Sequence, residues 1–239
     1  MNTNFDKVFI ISELHPQHGG SIDDTKTMIL QSKMAGANAV KVQLYDTLKT
    51  HGDNNRLYLQ LDFDEFSEIK KYCDILGIEL FASVFNEDRI QWCEDLNIKK
   101  YKIASRSVAD KNLCSAIFET KKTVYLSLGM FNWKDKGLPY KDKKPIYFDC
   151  VSSYPTLLSD LQMINFERSE VKGFSDHTIG IGASIFAVSR GANIIEKHFT
   201  LNKSNQVALQ KAHLCSMDYD DLKQLRLICD TISQINFKS

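Results

Sequence analysis

Short apolar and β-branched runs alternate with longer stretches of helical periodicity along almost the whole chain. Runs of this kind, bounded by polar and turn residues, are typical of strands buried in a parallel sheet. Eight of them are found, at residues 7–14, 38–45, 78–85, 101–105, 123–129, 145–153, 171–177 and 192–199. Helices are predicted between most of them, at residues 22–35, 63–76, 88–96, 111–120, 157–168, 181–190 and 219–235.

This order of strands and helices predicts one closed barrel. Gly36, Gly77 and Gly191 each follow a predicted helix and precede a strand, a position that suits a helix C-cap. Strands that alternate with helices imply right-handed crossovers and a parallel sheet, and eight such units favour closure. We therefore predict a (β/α)8 TIM barrel rather than a doubly wound open sheet, with residues 1–239 forming a single domain.

One of the eight units lacks the pattern of a full helix. Residues 130–144 contain Gly137, Pro139 and five lysines, with little apolar periodicity. We expect the fifth helix of the barrel to be reduced or missing, because this segment cannot build an apolar helix face. The flank left open would need another cover, which a partner subunit would supply.

Charge and hydropathy narrow the class of protein. Acidic and basic residues number 30 each, without a single-sign block, so nucleic acid and anionic membranes are not expected partners. The apolar runs are far too short to span a membrane.

Residues 1–7 lack the apolar core of a signal peptide, and we expect a cytoplasmic protein. Six scattered cysteines without C-x-x-C spacing are expected to stay reduced and to pack as small hydrophobic residues.

Several predicted strands carry polar or charged side chains on the face that would point into the barrel, because strand side chains alternate with period two. A barrel interior normally holds packed Val, Ile and Leu, and each unpaired buried ion costs several kcal/mol. A single lysine could instead face outward in an ion pair with a helix. The whole set favours a site in which the charges pair with one another or with a ligand. Its members are Glu13, Lys41, Gln43, Lys102, Ser175, His177, Glu196 and His198.

Two histidines, His177 and His198, close consecutive predicted strands. The ends of neighbouring strands converge on one mouth of a parallel barrel, so these imidazoles make a divalent-metal site plausible. The alternative is that each is a hydrogen-bonded structural histidine. Closure would also make the first and eighth strands neighbours and bring Glu13 near His198.

Lysines and hydroxyls at the same strand ends describe a pocket for a phosphate and a carboxylate, since lysine supplies charge and serine supplies small donors. No G-x-x-x-x-G-K-[ST] or G-x-G-x-x-G motif occurs, so a nucleotide is not indicated. The pocket residues are Lys41, Lys102, Ser83, Ser105, Ser127, Ser152 and Ser175.

From about Val8 to Leu225 the chain resembles the sialic acid synthase family, the phosphoenolpyruvate-dependent N-acetylneuraminate synthases and their legionaminate and pseudaminate relatives. The matching segments are Ile11-Ser12-Glu13 with His18 and Gly20, Ala35-Gly36-Ala37-Asn38-Ala39-Val40-Lys41-Val42-Gln43, Tyr101-Lys102-Ile103-Ala104-Ser105, Leu126-Ser127-Leu128-Gly129-Met130, Cys150-Val151-Ser152-Ser153-Tyr154-Pro155, Ser175-Asp176-His177-Thr178 and Glu196-Lys197-His198-Phe199-Thr200.

The resemblance implies a transferase of the EC 2.5.1 type that joins phosphoenolpyruvate to a small aldose-type sugar aldehyde and water, in the synthesis of a surface or capsule carbohydrate. Phosphate and a 3-deoxy-2-keto sugar acid would be the products. It implies that His177 and His198 bind a divalent metal, typically manganese, with magnesium or cobalt as alternatives. Glu13 would stabilise a cationic intermediate or act as a base towards water. The lysines and serines above would hold phosphoenolpyruvate, and the sugar would contact His18, Gln43, Tyr154 and Lys211.

The chain departs from the family pattern at several positions. Leu209 stands where the family has a metal-site aspartate, Gln17 replaces an asparagine, and Leu128 replaces a threonine. We expect a short form without the family's C-terminal antifreeze-like domain. Family members dimerise, and without that domain we expect a homodimer with a non-swapped interface across residues 130–144.

These departures keep other hypotheses open. The protein could be a catalytically altered or inactive relative that binds phosphoenolpyruvate or a sugar acid, or a partner subunit in a complex. A lyase that runs in the cleavage direction is a third reading. Three further histidines have open roles. His213 could replace a lost metal ligand, and His51 lies in a polar loop that could cover the mouth of the barrel. His15, in the loop after the first strand, could lie near the substrate or simply be a solvated side chain.

Overall fold

A computed structural model describes residues 7–236, in which eight parallel strands close into a barrel in the order of the chain. The predicted (β/α)8 TIM barrel is confirmed. The strands are β1 (Phe9–Glu13), β2 (Ala39–Leu44), β3 (Glu79–Val84), β4 (Lys100–Ile103), β5 (Thr123–Ser127), β6 (Ile146–Cys150), β7 (Val171–Asp176) and β8 (Ile194–His198). Strand β1 pairs with both β2 and β8, which places Glu13 opposite Lys41 and opposite His198.

The helices surround the barrel, and local sequence signals set their ends. They are α1 (Ile22–Ala35), α2 (Thr47–His51), α3 (Phe63–Leu76), α4 (Asp88–Asp95), α5 (Lys111–Glu119), α6 (Trp133–Lys136), α7 (Gly182–Ser189) and α8 (Tyr219–Asn236). Asp62 and Glu65 form a capping box at the start of α3, and Gly36 ends α1 with a φ of 98°. No helix in the described residues is long and apolar enough to cross a membrane.

The crossover after β5 contains only the four-residue helix α6 and a short 3-10 turn at Lys141–Lys143. The prediction of a reduced fifth helix is therefore confirmed. This flank of the barrel is covered by irregular chain, in which Tyr140 donates its hydroxyl hydrogen to the Val108 carbonyl at 2.9 Å.

The helix predicted at residues 157–168, after β6, does not form, and this prediction was wrong. The segment holds only a 3-10 turn at Leu158–Asp160. Phe166 is fully buried and packs near Phe174, and its backbone N–H donates to the Arg190 carbonyl at the end of α7. These tertiary contacts hold the segment in an irregular path, because packing overrides a weak helical pattern.

Aromatic side chains fill the barrel beneath its polar end. The rings of Phe81, Tyr125 and Phe148 make successive edge contacts, with centroids 5.5 and 5.3 Å apart. A Cβ added at Gly173 would lie 2.6 Å from the Phe148 ring, so this glycine makes room for it. The Nζ atom of Lys102 lies 3.6 Å from the Phe148 ring centroid, so the aromatic layer forms the floor of the polar site.

Candidate active site

A cavity of about 370 Å³ opens at the carboxyl ends of the strands, where the active sites of such barrels lie. Each of the eight strands contributes to its wall, either directly or through the loop that follows. The polar lining residues are Glu13, His15, Lys41, Gln43, Tyr45, His51, Arg56, Ser83, Lys102, Ser105, Arg106, Ser127, Cys150, Ser152, Tyr154, Ser175, His177, Glu196, His198 and Lys211.

Two lysines and two glutamates form a buried ion network at the bottom of the cavity. The Nζ atom of Lys41 lies 2.7 Å from Oε2 of Glu13 and 3.3 Å from Oε2 of Glu196. The same glutamate oxygen lies 3.1 Å from Nζ of Lys102. Each of the four side chains is at most 8% exposed. Their formal charges cancel, which is what makes four ions tolerable inside a barrel.

Hydroxyl groups surround the network. Lys41 donates to Oγ of Ser83 at 3.1 Å, and Ser175 donates to Oε1 of Glu196 at 3.1 Å. Oγ of Ser175 lies 3.3 Å from Oγ of Ser127 and 3.4 Å from Nζ of Lys102. Small donors therefore border both lysines, as an oxyanion-binding site requires.

Burial and pairing set the pKa values of these groups in different directions. Burial raises the pKa of Glu13, although the charge of Lys41 opposes it. Burial would also raise the pKa of Glu196, but Lys102 and Lys41 hold it well below its ordinary value. Burial lowers the pKa of Lys102 to about 8, against the attraction of Glu196. Glu13 is therefore the carboxylate readier to accept a proton, and Glu196 stays anionic.

The two histidines expose the same nitrogen to the cavity. Nδ1 of His177 lies 2.7 Å from the Val151 carbonyl, and Nδ1 of His198 lies 2.8 Å from Oε1 of Gln17. Since those oxygens only accept, each Nδ1 carries the proton and each Nε2 keeps its lone pair. Burial lowers the pKa of His177 to about 4, and that of His198 well below the ordinary value, so both rings are neutral. Their centroids are 5.7 Å apart.

Neutral imidazoles whose Nδ1 protons are held by oxygen acceptors are the usual form of histidine metal ligands, so this pair fits a divalent cation. Leu209 lies in the cavity wall and adds no ligand side chain. Within residues 7–236, no group of three or more His, Cys, Asp or Glu side chains is arranged to hold a metal ion. His177 and His198 would therefore be the protein's nitrogen ligands, with the remaining positions left to water or substrate.

A second buried ion pair supports the histidine side of the cavity from outside the barrel. Asp176 and Lys197 are both fully buried, with Oδ2 and Nζ 3.2 Å apart. Asp176 also accepts from Thr178 N and Oγ1 and from Oγ of Ser184, and Lys197 donates to the Thr178 carbonyl. This network fixes the turn that follows β7 and with it the position of His177.

The structure brings together nearly all of the residues proposed from the sequence. The predicted residues that line the cavity are Glu13, Lys41, Gln43, Ser83, Lys102, Ser105, Ser127, Ser152, Tyr154, Ser175, His177, Glu196, His198 and Lys211. Their placement is observed, and their individual roles stay predictions. Glu13 and His198 are direct cross-strand partners, as barrel closure predicted.

Two histidines considered from the sequence do not line the cavity. His18 is 1% exposed and lies behind His15, so its placement gives no support to the predicted contact with a sugar, which stays a prediction. His213 is engaged elsewhere, since its Nδ1 lies 2.8 Å from Oγ1 of Thr200 and its Nε2 lies 2.9 Å from Oε1 of Gln210, so its placement does not support the idea of a replacement ligand. The loop position of each had given no sign of these buried partners.

Sequence reasoning missed several residues of the outer cavity. Tyr45, Arg56 and Arg106 line it, and so does His15, for which a solvated position had been one open alternative. His51 lies at the end of α2 and also faces the cavity. Each lies at the end of a predicted strand or in the segment after it, which is the signal that could have identified them.

Its closed (β/α)8 fold, with lysines, glutamates and imidazoles at the carboxyl ends of the strands, places the protein in the class of barrels that carry a polar site at that end. Comparison with known proteins narrows this class. The model of the NeuB family matches residues 28–236. The chain is 32% identical to pseudaminic acid synthase of Campylobacter jejuni, in an alignment that covers 94% of this chain and 74% of the relative. It is 30% identical to N,N'-diacetyllegionaminic acid synthase of Legionella pneumophila, in an alignment that covers 91% of this chain and 70% of the relative.

A solved structure gives the same result. N-acetylneuraminic acid (sialic acid) synthetase from Leptospira borgpetersenii, in complex with citrate, superposes with a TM-score of 0.88 at 28% identity, covering 96% of this chain and 85% of that one. The chain belongs to the NeuB family, and the resemblance to sialic acid synthases is confirmed.

Proposed function

We propose that this protein condenses phosphoenolpyruvate with a sugar aldehyde and water, giving a 3-deoxy-2-keto sugar acid and phosphate. The observation that carries the proposal is the buried network of Glu13, Lys41, Lys102 and Glu196 beside the two cavity histidines. The names of the relatives support it, since they are synthases of acidic sugars. We also propose a cytoplasmic role in the synthesis of a surface carbohydrate, such as a capsule, and the predicted non-swapped homodimer.

In this proposal the lysines exchange partners when phosphoenolpyruvate arrives. Lys41 and Lys102 turn from Glu13 and Glu196 towards the substrate's phosphate and carboxylate, and Ser127 and Ser175 supply neutral donors. The substrate then lies over the ion network with its C2–C3 bond facing the mouth of the cavity. Binding energy from both anionic groups holds the reacting carbon in place.

The reaction forms one carbon–carbon bond and breaks one carbon–oxygen bond. C3 of phosphoenolpyruvate adds to the aldehyde carbon, whose oxygen takes up a proton, and positive charge develops at C2. Water adds to C2, and loss of phosphate from the resulting hemiketal gives the ketone. Glu13 lies where its carboxylate stabilises that charge or accepts the proton of the water. When bound at His177 and His198, a divalent cation such as Mn²⁺, with Mg²⁺ or Co²⁺ as alternatives, supplies Lewis-acid polarisation of a carbonyl oxygen.

The test is release of inorganic phosphate from phosphoenolpyruvate in the presence of Mn²⁺ and a broad panel of aldoses. We expect release that depends on an aldose and a product whose mass is that of a 3-deoxy-2-keto sugar acid. Phosphate release without a condensed product would point to simple hydrolysis. If no aldose in the panel led to release of phosphate, the proposed reaction would be rejected.

A second candidate function is ligand binding without turnover. Leu209 favours it, because a hydrocarbon side chain at the cavity wall leaves two histidines as the metal ligands identified in the described residues. Calorimetry would then show binding of phosphoenolpyruvate or a sugar acid with no phosphate released, and any condensed product would dismiss this alternative.

The affinity for phosphoenolpyruvate should fall in alkaline solution. Burial lowers the pKa of Lys102 to about 8, and the substrate's negative charges favour the protonated form. Below its pKa the lysine is charged and binding is strong. Above it we expect the Kd to rise up to about tenfold per pH unit, as one titrating group requires. Titration calorimetry between about pH 7 and 9.5 measures this. In Lys102→Arg the charge persists, so a slope that survives this change would show that another group is responsible.

A further inference from the structure

His18 belongs to a chain of three buried side chains that ends in the cavity. The exposed fractions of His18, His15 and Tyr45 are 1%, 2% and 2%. His15 and Tyr45 line the cavity, whereas His18 is not among the lining residues and contacts His15 from behind. The chain therefore connects a residue outside the cavity to a hydroxyl group on the cavity wall.

The hydrogen bonds of this chain run in one direction. Gly20 donates its backbone N–H to Nδ1 of His18 at 3.1 Å, so the proton of His18 is on Nε2. That proton is donated to Nδ1 of His15 at 2.8 Å, and the Nε2 proton of His15 is donated to the Tyr45 hydroxyl at 3.0 Å. Burial keeps both rings neutral, with the pKa of His18 lowered to about 4 and the pKa of His15 well below its ordinary value. Each N–H of the chain is thus directed towards the cavity.

The Tyr45 hydroxyl is consequently left as a donor. Its oxygen accepts from His15, and among the described residues its hydrogen has no protein acceptor. Burial raises the pKa of Tyr45, so the hydroxyl keeps its proton. The rings of His51 and Phe85 pack edge-on against the Tyr45 ring, with centroids 5.3 and 6.3 Å away, and hold it in place. Hydrogen bonds aligned in a chain polarise one another, which strengthens the last donor.

The residue that holds this hydroxyl also holds the carboxylate of Glu13. His15 donates its backbone N–H to Oε1 of Glu13 at 2.8 Å. Lys41 and Gln43 reach the cavity from alternate positions of β2, and Tyr45 is the next in that series, one step nearer to the mouth. Phosphoenolpyruvate held by the lysines leaves this upper level of the cavity to the second substrate.

We propose that Tyr45 is a catalytic residue, whose hydroxyl donates a hydrogen bond to the oxygen of the sugar aldehyde during carbon–carbon bond formation, and that His15 and His18 position it. This inference rests on the proposed function. As C3 of phosphoenolpyruvate bonds to the aldehyde carbon, the π electrons of the C=O bond move to the oxygen, which becomes an alkoxide. An alkoxide only accepts hydrogen bonds, so a hydroxyl hydrogen directed into the cavity stabilises it. The proton that neutralises the alkoxide is balanced by the one that water loses when it adds to C2, so Tyr45 keeps its own.

Steady-state kinetics of Tyr45→Phe test the role of the hydroxyl. The assay measures phosphate release with Mn²⁺, saturating phosphoenolpyruvate and the aldose of the panel that reacts fastest. We expect kcat to fall about 10- to 100-fold, as loss of one donor to a developing oxyanion requires. The Kd of phosphoenolpyruvate should stay within about twofold, because the lysines are unchanged. Tyr72→Phe is the matched control: Tyr72 lies on α3 and does not line the cavity, so kcat should equal that of the wild type.

Variants of His18 test the positioning. In His18→Leu the donor to His15 is lost, so His15 can adopt the other tautomer and accept the Tyr45 hydrogen. We expect kcat to fall towards that of Tyr45→Phe, and the double variant to be no less active than Tyr45→Phe, since both changes remove the same hydrogen bond. His18→Gln retains an N–H donor and should keep most of the activity. Thermal melts check that each variant is folded.

Nitrogen NMR of the imidazoles gives a readout that does not depend on turnover. In the wild type, His15 and His18 should both carry their proton on Nε2, as the direction of the chain requires. In His18→Leu, His15 should lose this preference, whereas His18→Gln should keep it.

An unchanged kcat in folded Tyr45→Phe would overturn the proposal. So would a rise in KM for the aldose with kcat unaffected, which would indicate a contact as strong in the ground state as in the transition state. Additive losses in the double variant, or a proton on Nδ1 of His15 in the wild type, would overturn the positioning role of His18. Failure of the proposed reaction has a different signature: the wild type itself would release no phosphate with any aldose, and the role of Tyr45 would fall with it.

Discussion

Replacing Lys102 with methionine is expected to weaken the binding of phosphoenolpyruvate about 100- to 1000-fold, or ~3–4 kcal/mol. The change removes a cation that is 1% exposed and lies 3.1 Å from Glu196. It also leaves the inner network with one lysine against two glutamates, so an arriving anion meets net negative charge. Methionine keeps the length of the side chain and its contact with the Phe148 ring. Titration calorimetry gives the Kd, and phosphate release gives kcat/KM.

Lys111 offers a matched control, because it is exposed at the start of α5 and is not among the residues that line the cavity. Lys111→Met should leave the Kd within about twofold of the wild type, as is usual for surface changes away from a site. A Lys102→Met protein that is folded and binds phosphoenolpyruvate normally would contradict the assignment of the lysine network as the substrate's anion site.

Replacing Asp176 with alanine is expected to lower the free energy of unfolding by about 3–5 kcal/mol, since it leaves the ammonium of Lys197 buried without its partner. Asp176 and Lys197 are both fully buried, and the aspartate accepts three further hydrogen bonds from Thr178 and Ser184. Those donors would lose their acceptor as well. Urea denaturation monitored by circular dichroism measures the change.

An exposed pair gives the comparison. Asp142 and Lys143 lie 3.1 Å apart with side chains 72% and 53% exposed, so Asp142→Ala should change stability by less than about 1 kcal/mol. In the double variant Asp176→Leu with Lys197→Met, removal of both ions should restore a large part of the lost stability. An Asp176→Ala loss no greater than that of Asp142→Ala would show that the buried pair has no structural role.

The inner half of the site could be predicted from the sequence, because its geometry follows from strand periodicity and barrel closure. Closure of the barrel was expected to bring Glu13 near His198, and the observed registers place Glu13 opposite both His198 and Lys41. Charged residues at alternating positions of short apolar strands have few other places to go. The inner site thus depends on regular structure, which local patterns specify well.

The outer half of the site could not be predicted in the same way, because the side chains of loops do not alternate with a regular period along the sequence. The contact between His15 and Tyr45 joins residues 30 apart through the path of two loops, and the Arg56 contact with Leu209 spans 153 residues. The predicted helix at residues 157–168 failed for a related reason: a single anchor, Phe166, outweighs the helical pattern around it. In each case a long-range contact decides the local conformation.

The self-neutralised floor of the cavity has a consequence for selectivity. An incoming anion must displace carboxylates that already occupy the lysines, so an ion such as chloride or sulfate gains little from the exchange. Only a molecule that engages both ammonium groups at once, and offers further contacts, recovers the cost of separating them. Glu13 and Glu196 therefore compete with common small anions for the two lysines and disfavour their binding.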